Sequence, residues 1–365
     1  MNKKKVLIIS TVGLKYEGIT SVILANLEAM DRSDLEIYLV GTIEVHPEIV
    51  AKISDMGCTV INMPNRRTDT MAYFKELMRF IRKNKIDVVH AHGNSATMTI
   101  EMAAAFLGGC KLRIAHSHNT CCEQVRADKI LRPYFYLLCN KNLACGSAAG
   151  KWLFGKRPFT VIANGRDIDK YKYDRHMRDK IRKEYKWDDK IVIGHVGGFL
   201  PQKNHAFLID IFHAMHKMRP ETRLILFGDG PLRSEVEQKV KRLGLGECVE
   251  FMGLSNRVNE FLQAMDGMLL PSLFEGLPLV AVEWQIAALP CELSNVITPD
   301  CAFSDLVEFC SLEESPDVWA EIMLSKINHI DREKESALIP EATRNAGFDI
   351  RDNAAVLHEI YCGNK

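Results

Sequence analysis

Met268-Leu-Leu-Pro271-Ser-Leu-Phe-Glu275-Gly-Leu-Pro278-Leu-Val-Ala-Val-Glu283 reads as a short apolar strand, a loop and the opening of a helix. Pro278 follows Gly276-Leu277 and falls near the first helical turn, where a missing N–H costs nothing. Glu275 is thereby placed in a loop at the carboxyl end of a strand, with Glu283 about a turn and a half inside the helix. Such a loop presents free backbone N–H groups and the positive end of a helix dipole, an arrangement suited to phosphate. On that reading the two glutamates bracket an anion and hold no metal. A structural reading of the same residues makes Glu275 a helix cap and Glu283 a solvated surface group.

Outward from this stretch the strand-loop-helix unit recurs. Apolar and β-branched runs at 191–193, 224–227, 249–252, 268–270 and around Cys291 alternate with segments of helical period, the pattern of a parallel sheet flanked by helices. The same alternation occupies 6–10, 36–41, 59–62, 88–91, 113–116 and 160–163, while Phe74, Leu77, Met78 and Ile81 fall on one helix face. Between the two series, 166–190 is dense in charge and poor in aliphatics, so a linker is expected there. The fold class is therefore α/β, with two doubly wound halves.

Two further runs follow strands of the second half. In Gly197-Gly198-Phe-Leu-Pro-Gln-Lys203-Asn204-His205, adjacent glycines let backbone approach a ligand and the lysine can set a point charge on a diphosphate. Phe227-Gly228-Asp229-Gly230-Pro231 is a tight turn into a helix, which turn chemistry alone also explains. In this order the three runs resemble the retaining GT-B glycosyltransferases of family 4 (group 1), especially those that assemble bacterial capsular and exopolysaccharides. Glu275 and Glu283 match the family's E-x7-E signature, Lys203 its phosphate-binding lysine, and Gly228-Asp229-Gly230-Pro231-Leu232 its G-D-G-P-L turn. The segment ending in Asn164-Gly165 resembles the inter-domain P-N-G, and 348–361, with Leu357, Ile360 and Tyr361 on one face, the closing helix.

The resemblance implies the GT-B architecture: two Rossmann-like domains facing a central cleft, with the last helix crossing back to the first. The domains expected are 1–168 plus 349–365 on the acceptor side and 169–348 for the nucleotide sugar. It implies that Glu283 binds ribose hydroxyls, Lys203 the diphosphate, and Glu275 with the N–H groups of Gly276 and Leu277 the transferring sugar and phosphate. The loop Gly253-Leu254-Ser255 would lie against the base, and Asn164 near the donor. In the first domain, Ile114-Ala-His116-Ser-His118-Asn119 resembles the strand end carrying the family's active-site histidine, with His118 preferred over His116. Each also reads as a core histidine, and for His90 and His92 that structural reading is preferred. Gly13 and Gly18 resemble, at looser spacing, the glycine-rich turn near the donor phosphates.

Two departures stand out. Gly198, itself at the donor-binding loop, replaces the arginine that usually shares the diphosphate with the lysine; Arg166 and Arg257 are the candidates to supply that charge. Trp284 and Ala288 stand where a small residue and glycine are commoner. Asp167-Ile-Asp169 spells the D-x-D with which another transferase class binds a cation, but it follows a turn at a domain boundary. No metal and no cofactor are expected, since Lys203 and the helix dipole can neutralise a leaving diphosphate.

The 47 basic residues cancel the 47 acidic ones, which gives no support to a nucleic-acid partner. Residues 1–165 nevertheless hold 22 basic against 14 acidic side chains, leaving 25 against 33 in the remainder. The first domain could thus face an anionic membrane through Lys3 to Lys5, Arg82, Lys83 and Lys85, and Arg126, Lys129 and Arg132 beside Leu131, Tyr134 and Phe135. Eleven cysteines, with no C-x-x-C spacing and no histidine partner at zinc-ligand distance, point to a reduced, cytoplasmic chain. Met1-Asn2-Lys3-Lys4-Lys5 before an apolar run looks like a signal peptide but reads better as the approach to a first strand. The function expected is metal-independent, retaining transfer of a sugar from a nucleotide diphosphate, UDP foremost, to a glycan acceptor carried on lipid. The alternatives are an inactive homologue serving as a structural subunit, favoured by Gly198, and a sugar-nucleotide epimerase of the same architecture.

Overall fold

The computed structural model describes residues 3–15 and 17–363; Met1 and Asn2 of the signal-like start, Tyr16, Asn364 and Lys365 lie outside it. The chain divides into two units, Met1–Asp167 with Gly347–Lys365 and Ile168–Ala346.

Unit 1 runs β1 (Lys4–Ser10), α1 (Gly18–Ala29), β2 (Leu35–Gly41), α2 (Pro47–Asp55), β3 (Thr59–Ile61), α3 (Thr70–Asn84), β4 (Val88–Gly93), α4 (Thr99–Gly108), β5 (Leu112–Ser117), α5 (Val125–Leu138), β6 (Lys141–Ala144), α6 (Ser147–Phe154) and β7 (Thr160–Val161). Its seven strands are parallel in the order β3-β2-β1-β4-β5-β6-β7. Helices cover both faces, which is why Val6, Leu7, Ile8 and Ile9 are apolar without alternation.

Unit 2 runs α7 (Ile168–Tyr171), α8 (Arg175–Tyr185), β8 (Ile191–Val196), α9 (His205–Met218), β9 (Thr222–Phe227), α10 (Arg233–Arg242), β10 (Val249–Gly253), α11 (Val258–Ala264), β11 (Gly267–Leu270), α12 (Leu279–Ile286), β12 (Cys291–Ser294), β13 (Val307–Cys310), α13 (Pro316–His329) and α14 (Arg332–Asn345). Its six strands are parallel in the order β10-β9-β8-β11-β12-β13. The last helix, α15 (Ile350–Cys362), capped by the Asp349 side chain on the Arg351 N–H, belongs to unit 1. It packs Ala354, Leu357, Ile360 and Tyr361 into the cluster that holds Val6, Ile8, Val88 and Ile114.

In a doubly wound sheet, ligands gather where the strand order reverses, at the carboxyl ends of the two strands that part there. Those strands are β1 and β4 in unit 1, and β8 and β11 in unit 2.

Two expectations need correction, and one strand lay outside them. The charged stretch at 166–190 is not a loose linker. Most of it is α7 and α8, and α8 buries Ile181 and packs with Trp187 against α11. Two of its arginines are used internally: Arg178 and Arg182 both donate to Asp266, which also accepts the Val192 N–H at 2.8 Å. The basic face of α5 also differs. Phe135 is fully buried, Leu131 is packed on the core, and Arg132 is held by Asp128 at 2.7 Å and by the carbonyls of Trp152 and Leu153. The face that meets solvent carries Arg126, Lys129, Ile130, Tyr134 and Leu137. Finally β13, too short to announce itself by pattern, extends the unit 2 sheet past Cys291.

Candidate active site

In unit 2 the loops after β8 and β11 meet. Lys203 Nζ lies 2.6 Å from Glu275 Oε1, which also accepts from Ser272 Oγ at 2.9 Å, while Gln202 Nε2 donates to Glu275 Oε2 at 3.0 Å. A backbone bond from Leu273 N to Gln202 O ties the two loops together. Pro278 is the cap position of α12, and among the described residues no acceptor takes the N–H groups of Gly276 and Leu277 that precede it. Those donors, the helix start and the Lys203 ammonium form an anion site whose resident carboxylate is Glu275. Glu283 is half-buried within α12.

The turn of the G-D-G-P-L run presses its backbone on the glycine loop. Gly228 has φ +129°, and a Cβ there would stand 2.1 Å from Gly197 O, so only glycine fits. Gly198 is different: an added Cβ would meet nothing nearer than Asp229 O at 3.4 Å, an ordinary contact. A side chain could therefore start from this position without a Cβ clash. Neither candidate substitute is disengaged: Arg257 is bound to Glu260 at 2.9 Å, and buried Arg166 donates to Gly165 O. Leu254 follows Gly253, whose carbonyl accepts the Gly228 N–H, and its side chain is 83% exposed. Trp284 is fully buried, and Ala288 takes φ +53°, the left-handed conformation a glycine would adopt without strain.

In unit 1, four imidazoles line the ends of β4 and β5. His92 and His116 are register partners, and alternate strand positions put His90, His92, His116 and His118 on one side. His92 Nδ1 lies 2.8 Å from His118 Nε2, His90 Nε2 lies 3.2 Å from His116 Nδ1, and His90 Nδ1 lies 2.7 Å from the Tyr361 hydroxyl. Burial, with the neighbouring imidazoles, holds His90, His92 and His116 well below the usual histidine range, and burial takes His118 to about 3. All four are neutral at physiological pH. The outer nitrogens His116 Nε2 and His118 Nδ1 are enclosed without a partner, so each retains an unused donor or acceptor.

Of the remaining positions, Gly13 has φ +104°, with Glu44 O where a Cβ would go, and so is a required glycine at the β1 end. Gly18 opens α1 with free space around it. Asn164 follows β7, buried, with its Oδ1 unpartnered. The D-x-D carboxylates face cations: Asp167 is 3.7 Å from Arg351, and Asp169 is 2.8 Å from Lys172.

Known sequence families divide along the same line as the units. The profile of Glycosyltransferase Family 4 matches residues 16–170, and that of Glycosyl transferases group 1 matches residues 177–341. The chain belongs to the family 4, group 1 glycosyltransferases. EpsF of Bacillus subtilis, named a glycosyltransferase, is 29% identical over 96% of this chain and 94% of its own. CapH of Staphylococcus aureus, a capsular polysaccharide biosynthesis glycosyltransferase by name, is 22% identical over 92% of this chain and 94% of its own. An Escherichia coli enzyme named UDP-Gal:alpha-D-GlcNAc-diphosphoundecaprenol alpha-1,3-galactosyltransferase is 27% identical over 62% of each chain. The crystal structure of Anabaena HepE with UDP superposes with a TM-score of 0.80 at 19% identity, over 98% of this chain and 100% of that one, and identifies the GT-B architecture. This family 4 chain is thus a glycosyltransferase of polysaccharide biosynthesis.

Sequence reasoning on this glycosyltransferase passed over two features. His92, read as structural, is the hydrogen-bond partner of His118; the signal was an H-x-H on each of two neighbouring strands. His195 and His205 lie beneath the glycine loop of unit 2. His195 Nδ1 is 2.8 Å from Leu269 O, and His205 stacks on Phe199 with ring centres 4.1 Å apart. Burial lowers both, His205 to about 4, so they add no charge beside Lys203.

Proposed function

We propose that this transferase moves a sugar from a UDP-sugar, with retention of anomeric configuration and without a metal, to a glycan carried on a lipid diphosphate. The observation that carries the reading is the Lys203–Glu275 pair beside the uncommitted N–H groups of Gly276 and Leu277. A diphosphate arriving there accepts from those donors and draws Lys203 from Glu275, which is then free to accept from sugar hydroxyls. The leaving diphosphate takes the acceptor proton, so attack occurs on the face it vacates. A neutral imidazole at His118 suits positive charge developing at the anomeric carbon, where an imidazolium would oppose it. The named activity of the Escherichia coli relative supports the UDP donor and lipid diphosphate acceptor.

Docking on an anionic membrane accords with the same reading. Unit 1 with its closing helix carries 25 basic and 18 acidic residues, and α5 exposes Arg126 and Lys129 with Ile130, Tyr134 and Leu137. Among the described residues no helix is long and apolar enough to cross a membrane.

Thermal-shift titration with UDP, GDP and UDP-sugars tests the donor, since ligand bound only by the folded state raises the transition temperature. Stabilisation by UDP and not GDP, undiminished in EDTA, is expected; a shift that requires a divalent cation overturns the metal-free reading. Product NMR showing an inverted anomeric centre overturns retention.

A further inference from the structure

The amino end of the unit 1 sheet holds a constellation that takes no part in sugar transfer. His358 and Cys362 stand four residues apart in the last turns of α15, on one helix face, which corrects the expectation that no cysteine has a histidine at zinc-ligand distance, and Asp34 immediately precedes β2. His358 Nε2 lies 2.9 Å from Asp34 Oδ1 and 3.8 Å from Cys362 Sγ, and Cys362 Sγ lies 3.6 Å from Asp34 Oδ2. Tetrahedral bonds of about 2.0 Å to N or O and about 2.3 Å to S set neighbouring donor atoms about 3.3 to 3.6 Å apart. The donor atoms, 2.9, 3.6 and 3.8 Å apart with both Asp34 oxygens in use, lie near such spacings, and small side-chain rotations would close them on one ion.

We propose that Asp34, His358 and Cys362 form a site for a borderline-soft divalent cation, zinc foremost, that fastens the closing helix to the entry of β2. A thiolate, an imidazole and a carboxylate select zinc over magnesium or calcium, which prefer oxygen. On binding, the Cys362 S–H gives its proton to solvent and the thiolate enters the coordination shell, with water as fourth ligand. Asp34 is exposed and the other two residues are half-buried, so an ion can reach them. The buried group His90, His92 and His116 lies close enough together for a metal but is less suitable: it is closed to solvent, and both nitrogens of His90 and one each of His92 and His116 are engaged with one another, with His118 and with Tyr361. The triad lies at the opposite end of the strands from His118, so its role is to hold the fold.

The test uses the full-length chain. Equilibrium dialysis against zinc, with metal analysis, should give one ion per chain, and cobalt(II) should develop a thiolate charge-transfer band. Zinc should raise the melting temperature. All three signals should vanish in Cys362→Ser and in His358→Ala, whose far-UV dichroism should match the parent. They should persist in the Cys121→Ser/Cys122→Ser double variant, which removes the exposed thiol and its half-buried neighbour, and in Cys139→Ser. Absence of the cobalt–thiolate band in the parent chain, or zinc stoichiometry unchanged in Cys362→Ser and His358→Ala, overturns the assignment.

Discussion

At the ends of β4 and β5 four imidazoles stack with ring centres 4.0 to 5.3 Å apart, all uncharged, whereas at the ends of β8 and β11 a lysine and a glutamate meet at 2.6 Å as ions. Both sets stand at the carboxyl edge of a parallel sheet. The difference lies in the loops. After β11, Gly276, Leu277 and the start of α12 offer N–H donors, and Ser272 and Gln202 complete the shell around Glu275, so charge is tolerated at the protein's edge. Along β4 and β5 the neighbours of each histidine are chiefly other histidines and apolar core, so a proton on one ring would be desolvated and repelled by the next. A parallel sheet sets where functional groups gather; the loop's hydrogen-bond inventory sets whether they are ionic.

The contrast can be broken first by acid. An enclosed histidine with a lowered folded-state pKa binds fewer protons folded than unfolded, so stability is complete above about pH 6.5 and falls as pH drops below it. Each such group removes at most about 1.4 kcal/mol per pH unit. Urea unfolding followed by hydrogen exchange at pH 7.5 and 5.5 should show unit 1, with four such groups, losing most. Equal stability at both values would mean the cluster protonates within the fold.

Next in size is His118→Ala, expected to lower turnover about 100-fold, the scale of losing one preorganised transition-state contact, while UDP affinity by calorimetry stays within error. Equal losses in both would return His118 to the core. Lys203→Ala should weaken UDP binding and transfer together by about 1.5 to 3 kcal/mol, the worth of a hydrogen bond to a charged group. Unchanged affinity would remove Lys203 from the donor site.

Unit 2 carries its own neutral exception. Glu292 on β12 is fully buried with only the weak donor of the Cys310 thiol beside its carboxylate, and burial raises its pKa to about 9. Folded unit 2 therefore holds a proton that the unfolded chain releases near pH 4.5, and stability declines as pH rises between the two. Glu292→Gln should abolish this slope, at most about 1.4 kcal/mol per unit; identical slopes in parent and variant would show the group ionised in the fold. The smallest effect is Ala288→Gly, which relieves a left-handed alanine and should stabilise by about 0.5 to 1 kcal/mol in chemical denaturation.

The strand-helix alternation was legible because parallel strands buried on both faces are unbroken apolar runs, as Val6 to Ile9 show. The Glu275 loop was legible because proline and glycine punctuate it, and Lys203 because it follows paired glycines. What escaped depends on distance in sequence. The bond between His92 and His118 requires the β4–β5 register across 26 residues, and the Lys203–Glu275 pair spans 72. The helix at 175–185 escaped because Arg178 and Arg182 answer to Asp266, far along the chain, so local charge suggested solvent where the fold supplies a carboxylate. On α5 the exposed stripe could not be assigned without knowing that Arg132 turns inward to Asp128.

Tyr361, near the end of α15, reaches the His90 imidazole, and Ala354, Leu357 and Ile360 finish a core begun by β1. Synthesis runs from the amino end, so the ribosome delivers the strands of unit 1 first and their last covering helix only after all of unit 2. The nascent amino-terminal half therefore waits with an open flank, while the later-born unit, continuous in the chain, can close without it. A stop codon that removes only α15 would leave unit 2 whole and unit 1 unfinished, a lesion at one end of the gene expressed in the half encoded at the other.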